Sequence, residues 1–297
     1  MAGSATGLGN NSAVLGNSSI ATTILRGNVG IGTTTPSTLL DVSGSMRVAA
    51  GITCATLTTN AYDISYLVVG GGGGGFAGYQ NNIYGAGGAG GCAREGVATL
   101  QPGSIYNIIV GEGGQAGGQA RANPGKSSRF IGKNIYVVAP GGGIVITYGI
   151  NYYGASNGDY IGGYTAFNSG AGGAGAGGDS PSTTGENIGS AGGPGYTSSI
   201  TGTATAYGGG GGGGPAASGG SGGGGAGGGP GVAGTPNTGG GGGGGGSTGM
   251  GGAGGSGVVF LSIPTSKYSG TTTGSPTVTT SGSNTILKYT NNGTYTA

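Results

Sequence analysis

The sequence predicts an all-β protein in which polyglycine II helices, rods of backbone without side chains, run between the strands. Three observations predict it. The chain has 297 residues, 86 of them Gly, yet its hydrophobic fraction is 34% and its formal net charge only +2. A disordered chain pairs low hydrophobicity with high net charge, and this one has neither. The glycines are grouped into several separate runs, 70–75, 208–214, 222–225 and 239–246, with mixed tracts at 85–91, 170–178 and 251–257. The runs also abut dense apolar strands directly: YLVV enters Gly70 with no polar buffer, and Gly257 passes into VVFLSIP. No long stretch carries a capped helical apolar period, so almost no α-helix is expected.

Residues 1–61 form the first segment. Short apolar groups recur there between Gly, Ser, Thr and Asn: Ala13-Val14-Leu15, Ile24-Leu25, Val29-Gly30-Ile31, Leu39-Leu40-Asp41-Val42 and Met46-Arg47-Val48. Patterns such as LLDVSGSMRV read as short strands separated by turns. They are too sparsely apolar to close a core within one chain, which predicts an oligomeric β-rich stalk that shares its core between chains. Residues 62–264 form the glycine-rich domain. YDISYLVV, SIYNIIV, SRFIGKNIYVVA and GGIVITYG are strands by β-branched and aromatic content, bounded by Gly, Pro or Asn turns. The main glycine block is 169–257, after which VVFLSIP resumes the sheet. Residues 265–297 supply two or three further strands, which complete the sheet or exchange with a neighbouring chain.

A side-chain-free run can adopt the left-handed threefold helix of polyproline II, rising ~3.1 Å per residue with no internal hydrogen bonds. Its N–H and C=O groups point outward all round, and buried backbone polar groups must be paired. Rods packed side by side satisfy one another, and glycine is then required because a Cβ would hold the backbones apart. The run 239–246 would span about 25 Å at that rise, the length of an ordinary strand. The competing reading is a flexible linker. The repeated runs and the unbuffered strand–glycine junctions favour ordered rods.

Several function classes lose support from composition. The absence of His removes Ser/His/Asp triads and His-ligated metals. The seven acidic residues form no local pair of the kind a glycosidase needs. ARANPGKS, 120–127, fits a relaxed phosphate-loop pattern, but that loop needs a helix after it, and SRFIGKNIYVVA reads as strand. Arg121, Lys126, Arg129 and Lys133 form a basic cluster that is read as a solvated loop and not a nucleic-acid stripe. Cys54 and Cys92 carry no metal or disulfide motif, and buried free thiols are expected. MAGSATGLGNN lacks a signal-peptide pattern, and the longest apolar stretch is too short to span a bilayer. The expectation is therefore a non-enzymatic protein without cofactor, nucleic-acid partner or membrane insertion.

The candidate contact residues are Tyr148, Tyr152, Tyr153, Asp159, Tyr160 and Tyr164. YGINYYGASNGDYIGGY lacks strict alternation and is broken by Gly and Asn, which favours exposed loop over sheet core. Tyrosines on Gly/Ser/Asn loops make a rigid aromatic contact surface or a stacking platform for sugars. Asp159 and Asp179 could reach sugar hydroxyls, although capping turns is the commoner role of such residues.

YLVVGGGGGGFAG, SIYNIIVGEGGQAG and the closing GGAGGSGVVFLSIP resemble the glycine-rich domain of viral and bacteriophage fibre proteins over residues 62–264. NVGIGTTTPSTLLDVSGSMRV is similar to a motif of phage and giant-virus fibres, and LGNNSAVLGNSS to β-roll repeats of trimeric adhesins. The resemblance implies a β-sandwich containing a glycine-rod bundle, a trimeric stalk, and a place on a virion surface or extracellular fibre. It implies attachment to a host cell-surface glycan or protein through loops carried on the rods. A purely structural filament or capsid-decoration protein, with the chain itself as partner, is the alternative. An ice-binding protein ranks last, because that fold wants a Gly-x-x period and these tracts read as irregular runs.

Overall fold

The computed structural model describes residues 29–31, 34, 35, 37, 40–42, 60–79, 83–118, 122–144, 146–148, 151–165 and 169–297, with backbone alone for 40–42, 146–148 and 151–153. It divides into two units, Met1–Thr58 and Thr59–Ala297. In the first, β1 (Val29–Ile31) and β2 (Leu40–Val42) pair in parallel, with Val29 opposite Leu40 and Ile31 opposite Val42. Both were expected as short strands; the rest of the expected stalk lies outside the described residues.

The second unit is all-β. Its strands are β3 (Tyr62–Val69), β4 (Ala93–Leu100), β5 (Ile105–Ile109), β6 (Ser128–Gly132), β7 (Ile135–Ala139), β8 (Ile146–Tyr148), β9 (Asn151–Tyr153), β10 (Tyr164–Thr165), β11 (Tyr196–Ser198), β12 (Thr205–Tyr207), β13 (Val258–Pro264), β14 (Thr277–Ser281), β15 (Asn284–Tyr289) and β16 (Gly293–Thr296). Among the described residues the single helical turn, Thr265–Lys267, is 3₁₀. A five-stranded antiparallel sheet, in the order β14-β15-β13-β3-β4, faces a four-stranded one, β16-β5-β6-β7. Ile64, Val68, Val259, Leu261, Ile263 and Leu287 from the first meet Tyr106, Ile108, Phe130 and Tyr295 from the second.

VVFLSIP is apolar on both alternations because both its faces are covered. Val259, Leu261 and Ile263 fill the sandwich, while Val258 and Phe260 join Leu67, Val69, Ile286 and Tyr207 beneath the β11–β12 hairpin. Three tyrosines are wholly buried in the sandwich, each with its hydroxyl engaged, as burial requires. Tyr106 accepts from the Gln101 N–H at 2.9 Å, Tyr289 donates to the Thr294 carbonyl at 2.9 Å, and Tyr295 meets the Tyr62 hydroxyl at 3.0 Å. The C-terminal strands pair within the chain: β15 lies between β13 and β14, and β16 pairs with β5.

The rods leave this sandwich at one end. Residues 70–78 show the threefold rule directly. The N–H groups of Gly70, Gly73 and Phe76 donate to the carbonyls of Cys92, Ala89 and Ala86; those of Gly71 and Gly74 donate to Lys126 and Asn123; those of Gly72, Gly75 and Gly78 donate to Gly255, Gly252 and Gly249. Each acceptor series descends by three, so all three neighbours run antiparallel. The carbonyls of the same rod accept from Gly142, from Gly114 and Gly117, and from Gly242 and Gly245. One rod is thus bonded to six others at 2.8–3.1 Å. The run 239–246 also has six neighbours, and every one of its carbonyls accepts a rod or turn N–H. At the junction with the sandwich the fully buried Ser128 hydroxyl donates to the Val69 carbonyl at 2.6 Å and accepts from the Gly111 N–H at 2.9 Å.

Three features depart from the sequence reading. AREGVATL is strand β4, an edge strand whose Ala, Gly and charged residues give weak β propensity. The block 169–257 is interrupted by the β11–β12 hairpin, whose Tyr196 and Tyr207 cover the five-stranded sheet. The bundle also recruits segments of mixed composition such as 122–127 and 110–118, in the second of which glycine recurs with a threefold period. Gly111, Gly114 and Gly117 face inward while Glu112 and Gln115 are exposed. Within the basic cluster, Lys126 belongs to a rod and pairs with Glu112 at 2.7 Å, and Arg129 is on β6. The 120–127 tract runs straight into that strand, so no phosphate loop forms; Arg121 lies outside the described residues.

Candidate functional site

The all-glycine runs present no side chains along their length, so two groups of side chains stand at the ends of the bundle. The base is the strand junction, where Gly70 bonds Cys92, Gly91 bonds Gly239, and Ala176 bonds Gly208. The tip is the opposite end, where Gly78 bonds Gly249, Gly85 bonds Gly245, and Gly214 bonds Gly85. Tyr79 and Ile83 pair at the tip, and the turns around 183–188, 215–217 and 247–250 emerge there.

The six candidate residues divide between these ends. Tyr148, Tyr152, Tyr153 and Tyr164 lie in a three-stranded antiparallel sheet, β10-β9-β8, with Tyr153 opposite both Ile146 and Tyr164, and Tyr152 opposite Thr147 and Thr165. This sheet extends toward the tip from Gly154 and Gly163, where the Gly154 N–H donates to the Gly163 carbonyl and the Gly163 N–H to that of Gly172. Phe76 and Tyr79 pack at the same end with ring centroids 5.9 Å apart, Ile188 is 54% exposed and Met250 60%. The sequence led to exposed loop for the four tyrosines; the backbone instead pairs them as strands, and Tyr164 is half-buried.

Asp159 and Tyr160 lie at the base, about 12 Å of rod away from Tyr153 at the polyglycine rise. Asn157, only 5% exposed, builds their turn. Its Oδ1 accepts the N–H groups of Asp159 at 3.1 Å and Tyr160 at 2.9 Å, and its Nδ2 donates to the Gly175 carbonyl at 3.0 Å. Its own carbonyl accepts the Cys92 thiol at 2.9 Å. Gly158 follows with φ +95, a conformation that side chains rarely adopt. Asp159 is then held in a two-pronged ion pair with Arg94 of β4, at 2.6 and 3.0 Å. The guanidinium holds the Asp159 carboxyl below the usual range, against a smaller opposing effect of burial. Burial, reinforced by the Asp159 charge, pushes the Cys92 thiol up to about 12. Asp179 accepts the Ile161 N–H at 2.7 Å, so it caps a turn.

This base cluster is an internal clamp. Its carboxylate is already paired, its amide oxygen accepts twice and its amide nitrogen donates to Gly175, and its thiol is buried and protonated. Cys92 is free, and Cys54 lies outside the described residues. Among the described residues no group of His, Cys, Asp and Glu could hold a metal ion. The strands that hold Tyr148, Tyr152, Tyr153 and Tyr164 thus lie toward the tip, with Asp159 and Tyr160 apart from them at the base.

The strand–rod–strand course, from Val69 through the bundle to Val258, decides the family. A family model described as a glycine-rich domain matches residues 47–264. The chain belongs to that glycine-rich domain family. No curated protein and no solved structure is significantly similar to it. The match extends from ahead of β3 to the end of β13, so the glycine-rich domain comprises the bundle and the strands that carry it.

Sequence reasoning missed Arg94 and Asn157. Arg94 sits in a strand of weak propensity and meets its partner across a separation of 65 residues. Asn157-Gly158 did carry a local signal, an Asn–Gly turn pair followed by Asp, which marks a side-chain-capped turn.

Proposed function

We propose that the protein is a non-enzymatic fibre or adhesin of a virion surface, of tail-fibre or capsid-fibre type, attaching to a host surface through loops on the polyglycine II scaffold. One observation carries the reading: strands β8–β10, which hold Tyr148, Tyr152, Tyr153 and Tyr164, lie at the same end of the bundle as Tyr79 and the exposed Ile188 and Met250. A rigid platform displaying aromatic and apolar groups suits a contact surface with little ordering cost on binding. Its partners are copies of itself, as a homotrimer or filament, and a host glycan or protein. Outward positions of the peripheral rods, such as Glu112, Gln115 and Val232, are chemically mixed and give no regular Thr/Ala plane for ice.

The test is binding of the purified protein to host cells or a glycan array. The Tyr152→Ala/Tyr164→Ala double variant is expected to weaken binding at least tenfold while thermal unfolding stays unchanged. Binding that survives this change refutes the tip as the contact surface. A second reading, a structural filament, is favoured by the edges of the five-stranded sheet: β14 is solvent-exposed along four of its five residues and β4 lies at the other side. Electron microscopy separates the two, since this reading requires spontaneous filaments and no surface binding.

A further inference from the structure

The outer face of the five-stranded sheet is apolar only where the β11–β12 hairpin covers it. Beyond Phe260 and Leu67 it turns polar. Register places Ser262 beside Ser65 on one side and beside Ile286 on the other. Glu95 of β4 stands on the same face, and Asn284 of β15 lies farther out. A cleft of about 350 Å³ opens over these residues. Its wall is the hairpin turn Ser199–Gly202, closed by the Gly202 N–H donating to the Ser199 carbonyl at 2.9 Å. Gly202 has φ +90, and a Cβ there would come within 2.3 Å of the Ser281 hydroxyl, so the wall is drawn tight against β14.

The serine and asparagine side chains on the floor and rim of this cleft are unspent. Ser65, Ser262, Ser281 and Asn284 make no side-chain hydrogen bond among the described residues. Ser262 decides the matter: it is 5% exposed, yet no buried side-chain oxygen or nitrogen in the described residues is cut off from both partner and solvent. Its hydroxyl therefore opens into the cleft from the floor of the sheet. Elsewhere the buried hydroxyls of this domain are engaged, as those of Ser128, Thr165 and Ser180 are.

We propose that this cleft binds one neutral sugar residue. Serine hydroxyls both donate and accept, the Asn284 amide does both, and the Glu95 carboxylate accepts, which together match the alternating donors and acceptors of neighbouring sugar hydroxyls. Glu95 is anchored beside Tyr196, whose hydroxyl is raised by burial and then by that carboxylate. Ile200 and Ile286 offer an apolar patch to a ring's C–H face. No Lys or Arg lines the cleft, which disfavours an anion. The volume falls at the lower end of small-ligand sites, about 300–1,000 Å³. The floor belongs to a paired sheet, which holds a site more firmly than loops do. The site stands apart from the tip tyrosines and does not rest on the attachment reading.

The test is ligand-observed saturation-transfer NMR on the full chain, with methyl α-glucopyranoside, methyl β-galactopyranoside and N-acetylglucosamine as probes. At least one is expected to bind saturably with a dissociation constant on the order of 1 mM, the range a ligand of this size reaches. Ser262→Val and Glu95→Gln should each weaken that binding at least fivefold, and Tyr152→Ala/Tyr164→Ala should leave it unchanged. If Ser262→Val does not fold, Ser65→Val at the exposed neighbouring position replaces it. No saturable signal from any of the three sugars up to about 50 mM overturns the proposal. So does a signal that the cleft variants leave intact, or one that the tip variant abolishes.

Discussion

Gly242→Ala tests whether the bundle holds the domain together. An added methyl at Gly242 would lie 2.1 Å from the Gly252 carbonyl oxygen and 2.8 Å from that of Ala253, where ordinary contact begins at 3.4 Å. Relief requires the two rods to part by about 1.3 Å. They are joined by Gly252 N–H to Gly243 C=O and Gly255 N–H to Gly240 C=O, both at 2.8 Å. Parting stretches these to about 4 Å, beyond any hydrogen bond, and leaves four buried polar groups unpaired. Each costs about 1–3 kcal/mol, against which alanine's smaller unfolded-state freedom offsets about 0.4–1 kcal/mol. The net loss is about 3 kcal/mol or more, a fall in Tm of about 6–12 °C for a unit of this size. Gly118→Ala and Gly229→Ala are the controls, since a methyl at either meets nothing within 4 Å. Differential scanning calorimetry of the three variants is the assay. If Gly242→Ala melts with the controls, the rods are not a packed, hydrogen-bonded core.

Further predictions follow from the same geometry. Amide exchange monitored by mass spectrometry should show Gly241–Gly246 as protected as β13, because each of these N–H groups is bonded to another segment; exchange at the rate of an exposed loop would contradict the bundle. In a Cys54→Ser background, Cys92 should resist a thiol reagent at pH 8 until the protein unfolds, because its thiol stays protonated up to about 12; labelling of the native protein within minutes would contradict its burial. Asp159 has a folded pKa depressed by Arg94, so the stability it contributes is present above its unfolded pKa and is lost as pH falls through the lower folded value. The pair is over a third exposed, so Asp159→Asn should cost only about 0.2–1 kcal/mol at neutral pH and nothing in strong acid, read from urea melts across pH.

Legibility followed the amount of chemistry each segment carries. VVFLSIP and YLVV were readable because two buried faces leave an uninterrupted apolar run, and the glycine runs because no other composition lets backbones pack this closely. The C-terminal strands were readable as strands, but their partners were not: whether β16 meets β5 or a neighbour depends on pairing across the whole chain length. β4 was invisible because its stability comes from β3 alongside it and not from its own residues. The peripheral rods escaped notice for a related reason. A rod with one solvent-facing side needs glycine only where it faces inward, so 110–118 hides its identity behind Glu112 and Gln115. The tyrosines of 148–164 were read as one group and not as two, since only the bundle's axis separates the tip from the base.

That separation explains how the scaffold and its surface can vary independently. Inside the bundle a single methyl group is excluded at nearly every glycine, because the nearest neighbour is a carbonyl about 2 Å from where the Cβ would stand. At the tip the same rods end in turns such as those around 183–188 and 247–250, where backbone pairing no longer dictates the residue. Sequence constraint is therefore severe along the rods and weak at their ends. A fold of this kind leaves its loops free to change without loss of the core, provided that each loop returns the chain to a lattice position whose six neighbours already fix it. Asn157 illustrates the condition at the base: its side chain and backbone together use five hydrogen bonds to turn one rod into the next. Replacing a tip loop should cost little, whereas Asn157→Ala leaves the Asp159 and Tyr160 N–H groups and the Gly175 carbonyl without partners. With three groups affected at about 1 kcal/mol or more each, that variant should melt well below the wild type, as the tip variants should not. Equal melting of the two would mean that turns at the base are no more constrained than loops at the tip.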